Sequence, residues 1–116
     1  MEIKFLVQGS TINQYEVKFI KCSSNILNAY CNCPAAENRL YCKHRLNILS
    51  GITDKIISEN LSDVEIVQNW LKGTILEFSL NEYKKSEDMI NKQIKLLKKQ
   101  LSNYKKNIAK AMLQEN

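Results

Sequence analysis

The amino-acid sequence predicts an α+β fold, in which a small antiparallel β-sheet leads through a cysteine-rich segment into a helix. A helical region follows and ends in one long, heptad-patterned helix. Three observations support this fold class. Apolar side chains occupy alternate positions in the first third of the chain, three of the four cysteines and the only histidine lie between residues 31 and 44, and apolar residues beyond residue 80 recur at spacings of three and four.

The first third of the chain predicts three strands. Residues 3–7 and residues 15–19 place apolar side chains at every second position, which is the period of half-buried strands. Residues 8–14 between them contain glycine, serine, threonine and asparagine, which are typical of turns. A third short strand over residues 26–30 leads directly into Cys31. We therefore expect a small antiparallel sheet that positions the first cysteines.

The spacing of the cysteines and the histidine predicts a four-ligand metal site. Cys31 and Cys33 form a Cys-x-Cys pair, eight residues follow, and Cys42 and His44 form a Cys-x-His pair. In an extended strand, residues two apart face the same side, so the first pair can present both sulfurs to one ion. Zn²⁺ accepts three cysteines and one histidine in tetrahedral structural sites. The sequence therefore predicts one structural zinc ion per chain.

The segment between the two ligand pairs is expected to turn and then enter a helix. Pro34 ends strand pairing, and residues 35–41 form a loop that returns the chain to the metal. A helix begins at the second pair, because no helix breaker occurs before Gly51. Cys42 would then lie at or before the helix cap and His44 in the first turn. A helix N-terminus also favours the thiolate form that binds metal.

Disulfide bonds are the alternative use of these cysteines. Residues 1–9 do not resemble a signal peptide, because their apolar stretch is short and interrupted. We therefore expect an intracellular protein, cytoplasmic or located in the nucleoid or nucleus, where such spacing favours metal over disulfides. Cys22 fits neither ligand pair, and we expect it to be a small, half-buried apolar residue.

With these residues the chain resembles the SWIM zinc finger family, whose ligand pattern is Cys-x-Cys, a variable loop and Cys-x-His. The resemblance covers about the first 50 residues and includes the strand-like run at 15–19, Pro34 after the second cysteine, and the apolar helix after the second pair. It implies a β-hairpin followed by a helix, with zinc at the four predicted ligands. The residues before Cys42, 38–41, lack the glycine or proline often found there.

The family resemblance also implies binding to DNA or to protein partners. SWIM fingers occur in transposases, chromatin-remodelling ATPases, kinase regulators and partners of recombinase paralogues. We therefore expect a SWIM-like finger over residues 1–51 and a helical region over residues 52–116.

The region after Gly51 predicts two further helices. Residues 62–65 form a plausible capping box for one helix, and Gly73 is its candidate stop. Residues 74–78 are ambiguous, since their β-branched and aromatic side chains suit a strand while the segment also suits a helix. Ser79 and Glu82 form a second capping box that opens one long helix over about residues 80–114.

The long helix carries an a/d heptad pattern that is interrupted at Glu87. Such a stripe packs within one chain as a helical hairpin, against another protein, or against a second copy as a homodimer. The predicted e positions hold Lys84, Asn91, Lys98 and Lys105, and the g positions hold uncharged polar residues. A parallel self-paired coil would therefore gain no ion pairs, and an antiparallel arrangement stays open. The a and d positions are Leu80, Tyr83, Glu87, Ile90, Ile94, Leu97, Leu101, Tyr104, Ile108 and Ala111.

Positive charge is concentrated near the C-terminus. The formal net charge is +5, and residues 89–114 contain seven lysines and no acidic residue. A run of lysines is often only a solvated helix face, but neighbouring like charges destabilise a helix and an acidic partner relieves them. Nucleic-acid phosphate is the commonest such partner. The predicted contacts are Arg39, Lys43 and Arg45 near the metal and Lys92, Lys95, Lys98, Lys99, Lys105, Lys106 and Lys110 on the helix.

Several classes of protein are not expected. No run approaches the roughly 18 apolar residues of a membrane span. The only histidine is predicted to bind metal, a closed four-ligand site leaves no position for water, and no phosphate-binding glycine loop occurs. The sequence thus predicts a non-enzymatic module that binds nucleic acid, with DNA favoured over RNA. The alternative is an adaptor or regulator that binds an acidic protein through the finger and the heptad helix.

Overall fold

The computed structural model describes residues 1–114, which contain a three-stranded sheet and four helices. The α+β class predicted from the sequence is confirmed. The chain divides into two compact units, residues 1–79 and the part of the chain from Leu80 onward. The elements are β1 (Glu2–Gln8), β2 (Gln14–Ser23), β3 (Ile26–Cys31), α1 (Pro34–Glu37), α2 (Lys43–Leu49), α3 (Asp63–Leu71) and α4 (Ile75–Met112).

The three strands form one antiparallel sheet in the order β1-β2-β3. Phe5 pairs with Val17, and Val17 pairs in turn with Cys31, so one row of residues across the sheet ends at the first cysteine of the predicted site. The rings of Phe5 and Phe19 meet edge to face with centroids 6.0 Å apart. These alternate, buried side chains are the core face that the sequence pattern predicted.

The helices of the first unit complete the core. Ile48 on α2 and Val67 on α3 are almost fully buried, together with Phe5 and Phe19 on the sheet. α2 contacts both β3 and α3. The core therefore joins the sheet, the metal-binding segment and α3 in one unit.

The segment between α2 and α3 is not helical, contrary to the prediction of a helical region beginning at residue 52. Instead, it runs along the outer edge of β1. The backbone N–H of Gln8 donates to the carbonyl of Lys55 at 2.8 Å, and the N–H of Ile57 donates to the carbonyl of Leu6 at 2.8 Å. These bonds satisfy backbone groups of an edge strand, and one isolated bridge pairs Ile56 with Val7.

The capping box predicted at residues 62–65 does not form. The backbone of Ser62 is already helical, with φ −62° and ψ −23°, so its side chain makes no cap hydrogen bond. Turn carbonyls of Asn60 and Leu61 accept the first helical N–H groups instead. The predicted stop at Gly73 is confirmed, because α3 ends at Leu71 and Gly73 adopts a φ of +77°.

Residues 75–78 belong to a helix, which resolves the ambiguity in the sequence. α4 begins at Ile75 because Thr74 caps it: the Thr74 hydroxyl accepts the N–H of Glu77 at 3.2 Å. The Glu77 carboxylate in turn accepts the N–H of Gly73 at 3.1 Å. The predicted box at Ser79 and Glu82 is wrong, since both residues lie inside the helix.

α4 is one continuous helix of 38 residues that ends at Met112, two residues before the predicted end. No residue of α4 is buried. Among residues 1–114, no helix combines the length and the apolar character needed to span a membrane.

Candidate metal centre

Three elements of the fold bring the four predicted ligands together. Cys31 is the last residue of β3, Cys33 is the N-cap of α1, Cys42 is the N-cap of α2, and His44 lies in the first turn of α2. One ligand atom from each of the four residues lies within 4.8 Å of the others. Cys33 and Cys42 are buried, while Cys31 and His44 are half-buried. The structure thus assembles all four residues predicted from the spacing.

Two local details differ from the sequence prediction. The strand ends at Cys31, so Cys33 is brought to the site by an extended cap residue, with φ −70° and ψ 158°, and not by strand alternation. The predicted loop over residues 35–41 is partly helical, because Pro34 starts the short helix α1. Proline at the first helical position has a suitable φ and needs no backbone donor.

Three of the distances between the ligand atoms are close to those of a single tetrahedral zinc ion. The Sγ atoms of Cys33 and Cys42 are 3.4 Å apart, and Nδ1 of His44 lies 3.8 Å from the Sγ of Cys31 and 3.6 Å from that of Cys42. Tetrahedral zinc with ordinary bond lengths requires edges of roughly 3.8 Å between sulfurs and roughly 3.6 Å between sulfur and nitrogen. The sulfurs of Cys33 and Cys42 are too far apart for a disulfide, whose S–S bond is about 2.05 Å, and all four cysteines are free.

The donor set defines what the site does chemically. Three thiolates and one imidazole would fill the tetrahedral shell of a zinc ion, which would cross-link β3, α1 and α2 and leave no open position for a reacting water. The ligand nitrogen would be Nδ1 of His44, since this atom faces the sulfurs.

The electrostatics favour ligand formation at two of the residues. Burial raises the pKa of the Cys31 thiol to about 12. Burial also acts on Cys42, but backbone N–H groups of Arg45 and His44 and the neighbouring thiols outweigh it and lower the pKa of Cys42. Burial and the charge of Lys43 lower the pKa of His44, which keeps its imidazole neutral and able to bind metal near pH 7.

Residues around the ligands hold the site in place. The guanidinium of Arg45 donates to the carbonyls of Ala29 at 3.1 Å and Leu40 at 3.0 Å, which joins α2 to β3 and to the segment before Cys42. The ring of Tyr15 lies against that of His44, with centroids 5.3 Å apart. These contacts between protein groups hold the metal-binding segment in its orientation.

The remaining cysteine lies outside the site. Cys22 is exposed, contrary to the half-buried position expected from the sequence. It stands where the register of β2 with β3 shifts between Lys21 and Ser23, which turns its side chain away from the core. Its sulfur accepts a hydrogen bond from the side-chain amide of Asn28 at 3.4 Å.

The candidate phosphate contacts near the metal have different surroundings. Arg39 and Lys43 are exposed, while Arg45 is half-buried and makes the two carbonyl contacts described above. Lys55 was not predicted from the sequence. It lies near Lys43 because the bridge between Val7 and Ile56 holds the segment that contains Lys55 against β1. The two lysines share a cleft of about 180 Å³. Its lining contains no acidic residue and consists of Gln8, Gly9, Ser10, Lys43, His44, Asn47 and Lys55.

The lysines of α4 are exposed and make no ion pairs with any residue between 1 and 114. The ion pair found among these residues joins Lys4 to Glu2 on β1, with the two charged atoms 3.9 Å apart. The lysines at 92, 95, 98, 99, 105, 106 and 110 all lie on the exposed surface of the helix.

Comparison with protein-family models identifies the metal-binding part of the chain. Residues 5–49 match the SWIM zinc finger, a match that includes the sheet from Phe5 onward, all four ligands and the end of α2. Comparison with curated proteins and with solved structures found no match. The ligand geometry and the family match agree on the same residues. Residues 5–49 of this chain therefore match the SWIM zinc finger, and within them Cys31, Cys33, Cys42 and His44 are positioned to hold one structural zinc ion.

Proposed function

We propose that this protein binds nucleic acid without catalysis, using the zinc finger as a docking surface and the basic part of α4 to contact phosphates. The observation that carries this proposal is the run of exposed lysines between Lys92 and Lys110, which contains no acidic residue and makes no ion pair within the described residues. Nucleic acid is surrounded by condensed cations. When unpaired lysine ammonium groups bind its phosphates, these cations are released into solution, and their release favours binding.

The spacing of the lysines supports an extended contact. Lys92, Lys99 and Lys106 repeat every seven residues and therefore form a column on one side of the helix, at intervals of about 10.5 Å. Lys98 and Lys105 stand beside this column. A linear array of this kind follows a phosphate backbone and carries no means of reading bases, so we expect binding with little sequence preference.

The finger offers a second group of contacts. The cleft shared by Lys43 and Lys55 presents two cations and the hydroxyl of Ser10, which suit a phosphate oxygen. A wider cleft of about 380 Å³ shares His44 and Ser10 with it and is lined by Tyr15 and Tyr41. Aromatic side chains beside a cationic cleft suit stacked bases of a single strand. We favour DNA over RNA because related fingers occur in transposases and other proteins that act on DNA.

Fluorescence anisotropy with labelled duplex and single-stranded DNA at two salt concentrations tests the proposal. The sharpest comparison uses two matched lysine pairs, each an e and an f position of the same helix. Lys98→Gln with Lys99→Gln is expected to weaken binding several-fold. It should also reduce the slope of the logarithm of the binding constant against the logarithm of the salt concentration by about two, because two phosphate contacts are lost. Lys84→Gln with Lys85→Gln, which lie near acidic residues, should have a much smaller effect. Absence of binding to either DNA at low salt would overturn the proposal.

A second candidate function is that of a protein-interaction adaptor. The observation in its favour is the apolar stripe of α4, which stays exposed in the described chain; Leu97, for example, is 61% exposed. Measuring the solution mass with and without a chelator tests where association occurs. Association that survives zinc removal depends on α4, and association that is lost depends on the finger. A chain that stays monomeric, and whose binding is unchanged by Leu97→Asp, would argue against an adaptor.

A further inference from the structure

The a and d face of α4 is the largest feature that the finger and the lysines leave unexplained. We call it the stripe and define it as Ile90, Ile94, Leu97, Leu101, Tyr104, Ile108 and Ala111. The apolar side chains of this face are exposed; Leu97, for example, is 61% exposed and Leu101 is 56% exposed. An isolated helix with such a face gains stability when a second apolar surface covers it.

We propose that the stripe pairs with the same stripe of a second copy of this chain, in a parallel, in-register, two-stranded coiled coil over residues 90–111. In the adaptor function described above, the partner bound by the stripe is then a second copy of the chain. This pairing does not depend on nucleic-acid binding, since the column of lysines at f positions points away from the a and d face.

Three positions of the stripe favour two parallel strands. Ile94 and Ile108 at a positions and Leu97 at a d position form the combination of β-branched and leucine side chains that packs well in parallel dimers. The other a position holds Leu101, and the other d positions hold Ile90, Tyr104 and Ala111. The three heptads involved give a paired length of about 33 Å.

The charges beside the stripe determine the orientation. In a parallel pair each e position faces a g position of the partner, so Lys98 meets the partner's counterpart of Gln93, and Lys105 meets that of Gln100. In an antiparallel pair e positions face e positions, which brings lysine rows together. From the sequence alone, a parallel pair gains no ion pairs and an antiparallel arrangement stays open. Lysine against an uncharged amide is the arrangement without repulsion, and it is available only to the parallel pair.

The structure also limits where pairing begins. Glu87 occupies an a position, and its carboxylate accepts a hydrogen bond from the hydroxyl of Tyr83 at 2.6 Å within the same helix. In a parallel dimer the two copies of Glu87 would face each other and repel. The paired segment therefore starts at Ile90, one turn further along.

The first test is the solution mass of the full, zinc-loaded chain, measured by sedimentation equilibrium over a range of concentrations. We expect a dimer with twice the chain mass of 13.4 kDa. Leu97→Asp with Leu101→Asp should yield a monomer, because it places charge in the paired face. Ser102→Asp with Asn103→Asp adds the same charge at b and c positions and should leave the dimer intact. A monomeric natural chain, or a dimer that survives the first variant, would overturn the proposal.

A second variant tests orientation without disrupting the helix. Gln93→Glu with Gln100→Glu places carboxylates opposite Lys98 and Lys105 of a parallel partner, and no lysine lies three or four residues away from either position in the same chain. We expect the dimer dissociation constant to fall several-fold at low salt, with a smaller change at high salt. Ser102→Glu with Asn103→Glu is the matched control. An antiparallel dimer would be weakened instead, since the new carboxylates would face each other.

The outcomes remain distinguishable from those for nucleic acid. A dimer that does not bind DNA contradicts only the nucleic-acid proposal. A monomer that binds DNA contradicts only the self-pairing proposal, and a monomer whose stripe binds an acidic protein does the same.

Discussion

At the scale of single residues, three helices of the finger unit end in the same way but with different amino acids. Gly51 follows α2 with φ +83°, Gly73 follows α3 with φ +77°, and Arg39 occupies the equivalent place after α1 with φ +58°. The left-handed conformation suits glycine and strains residues with a Cβ. Residues 38–41 contain no glycine, and Arg39 adopts this left-handed conformation at a conformational cost.

Replacing this arginine should stabilise the finger. We expect Arg39→Gly to raise the free energy of unfolding by about 0.5–1 kcal/mol, because it removes the strain at a left-handed position. Arg39→Ala removes the same charge but keeps the Cβ, so it should give no such gain. Chemical denaturation of the zinc-loaded variants measures the difference. Equal stability of the two variants would show that the charge of Arg39, and not its backbone, matters.

The metal ligands give a second prediction at this scale. Cys42→Ser should lower bound zinc below one ion per chain and reduce the free energy of unfolding by about 4 kcal/mol or more, since zinc binding contributes directly to folding. Elemental analysis and thermal unfolding by circular dichroism measure both effects. Cys22→Ser is the matched control, because Cys22 is exposed and outside the site. A Cys42→Ser protein that keeps a full zinc ion and its stability would contradict the assigned ligand set.

The ligand set could be predicted from the sequence, whereas some of its surroundings could not. The spacing of Cys31, Cys33, Cys42 and His44 is local, and short separations along the chain limit where the side chains can go. The position of Lys55 depends on backbone hydrogen bonds to β1, and no residue type near it signals that pairing. Arg39 was visible as a basic residue, but its backbone conformation was not, since non-glycine residues seldom adopt it.

At the scale of secondary-structure elements, the start of α4 shows how two similar signals compete. Thr74 with Glu77 and Ser79 with Glu82 both have the spacing of a capping box, but only the second was predicted from the sequence. The structure uses the first, in which the buried hydroxyl of Thr74 also donates to the carbonyl of Leu71 at 2.6 Å. Gly73, directly before Thr74, indicated this start in the sequence, because a glycine that ends α3 leaves Thr74 as the next possible cap.

The cap predicts a difference between two small substitutions. Thr74→Ala should lower the free energy of unfolding by about 1–2 kcal/mol, because it leaves the N–H of Glu77 without its side-chain acceptor. Ser79→Ala should be neutral or slightly stabilising, since Ser79 lies inside α4 and alanine favours helices. Urea denaturation followed by circular dichroism measures both. A larger loss at Ser79 than at Thr74 would restore the original prediction of where the helix starts.

At the scale of the whole molecule, the zinc finger is part of a larger folded unit. The family match ends at residue 49, whereas the first compact unit continues to Ser79. Several contacts hold α3 and the start of α4 to the sheet. The ammonium group of Lys21 on β2 donates to the carbonyl of Trp70 at 2.7 Å, and the N–H of Ile75 donates to the carbonyl of Asn25 at 3.2 Å.

Zinc removal should therefore act beyond the matched residues. On adding a chelator, we expect backbone amides of β2, α2 and α3 to lose protection together, because they share one core. Amides of α4 beyond Leu80 belong to the second unit and should change little at constant protein concentration. Hydrogen exchange followed by mass spectrometry of peptides measures both sets in one sample. Protection of α3 that persists without zinc would show that it folds independently of the finger.

The segment that runs beside β1 has a practical consequence for anyone who shortens this protein. Lys55 and Ile57 satisfy backbone groups of Gln8 and Leu6 that would otherwise form an open sheet edge. A fragment ending at the last residue of the family match would lose this cover and offer its first strand to strands of other molecules. We expect such a fragment to aggregate even when it is fully loaded with zinc, and a fragment that extends to Ser79 to remain dispersed.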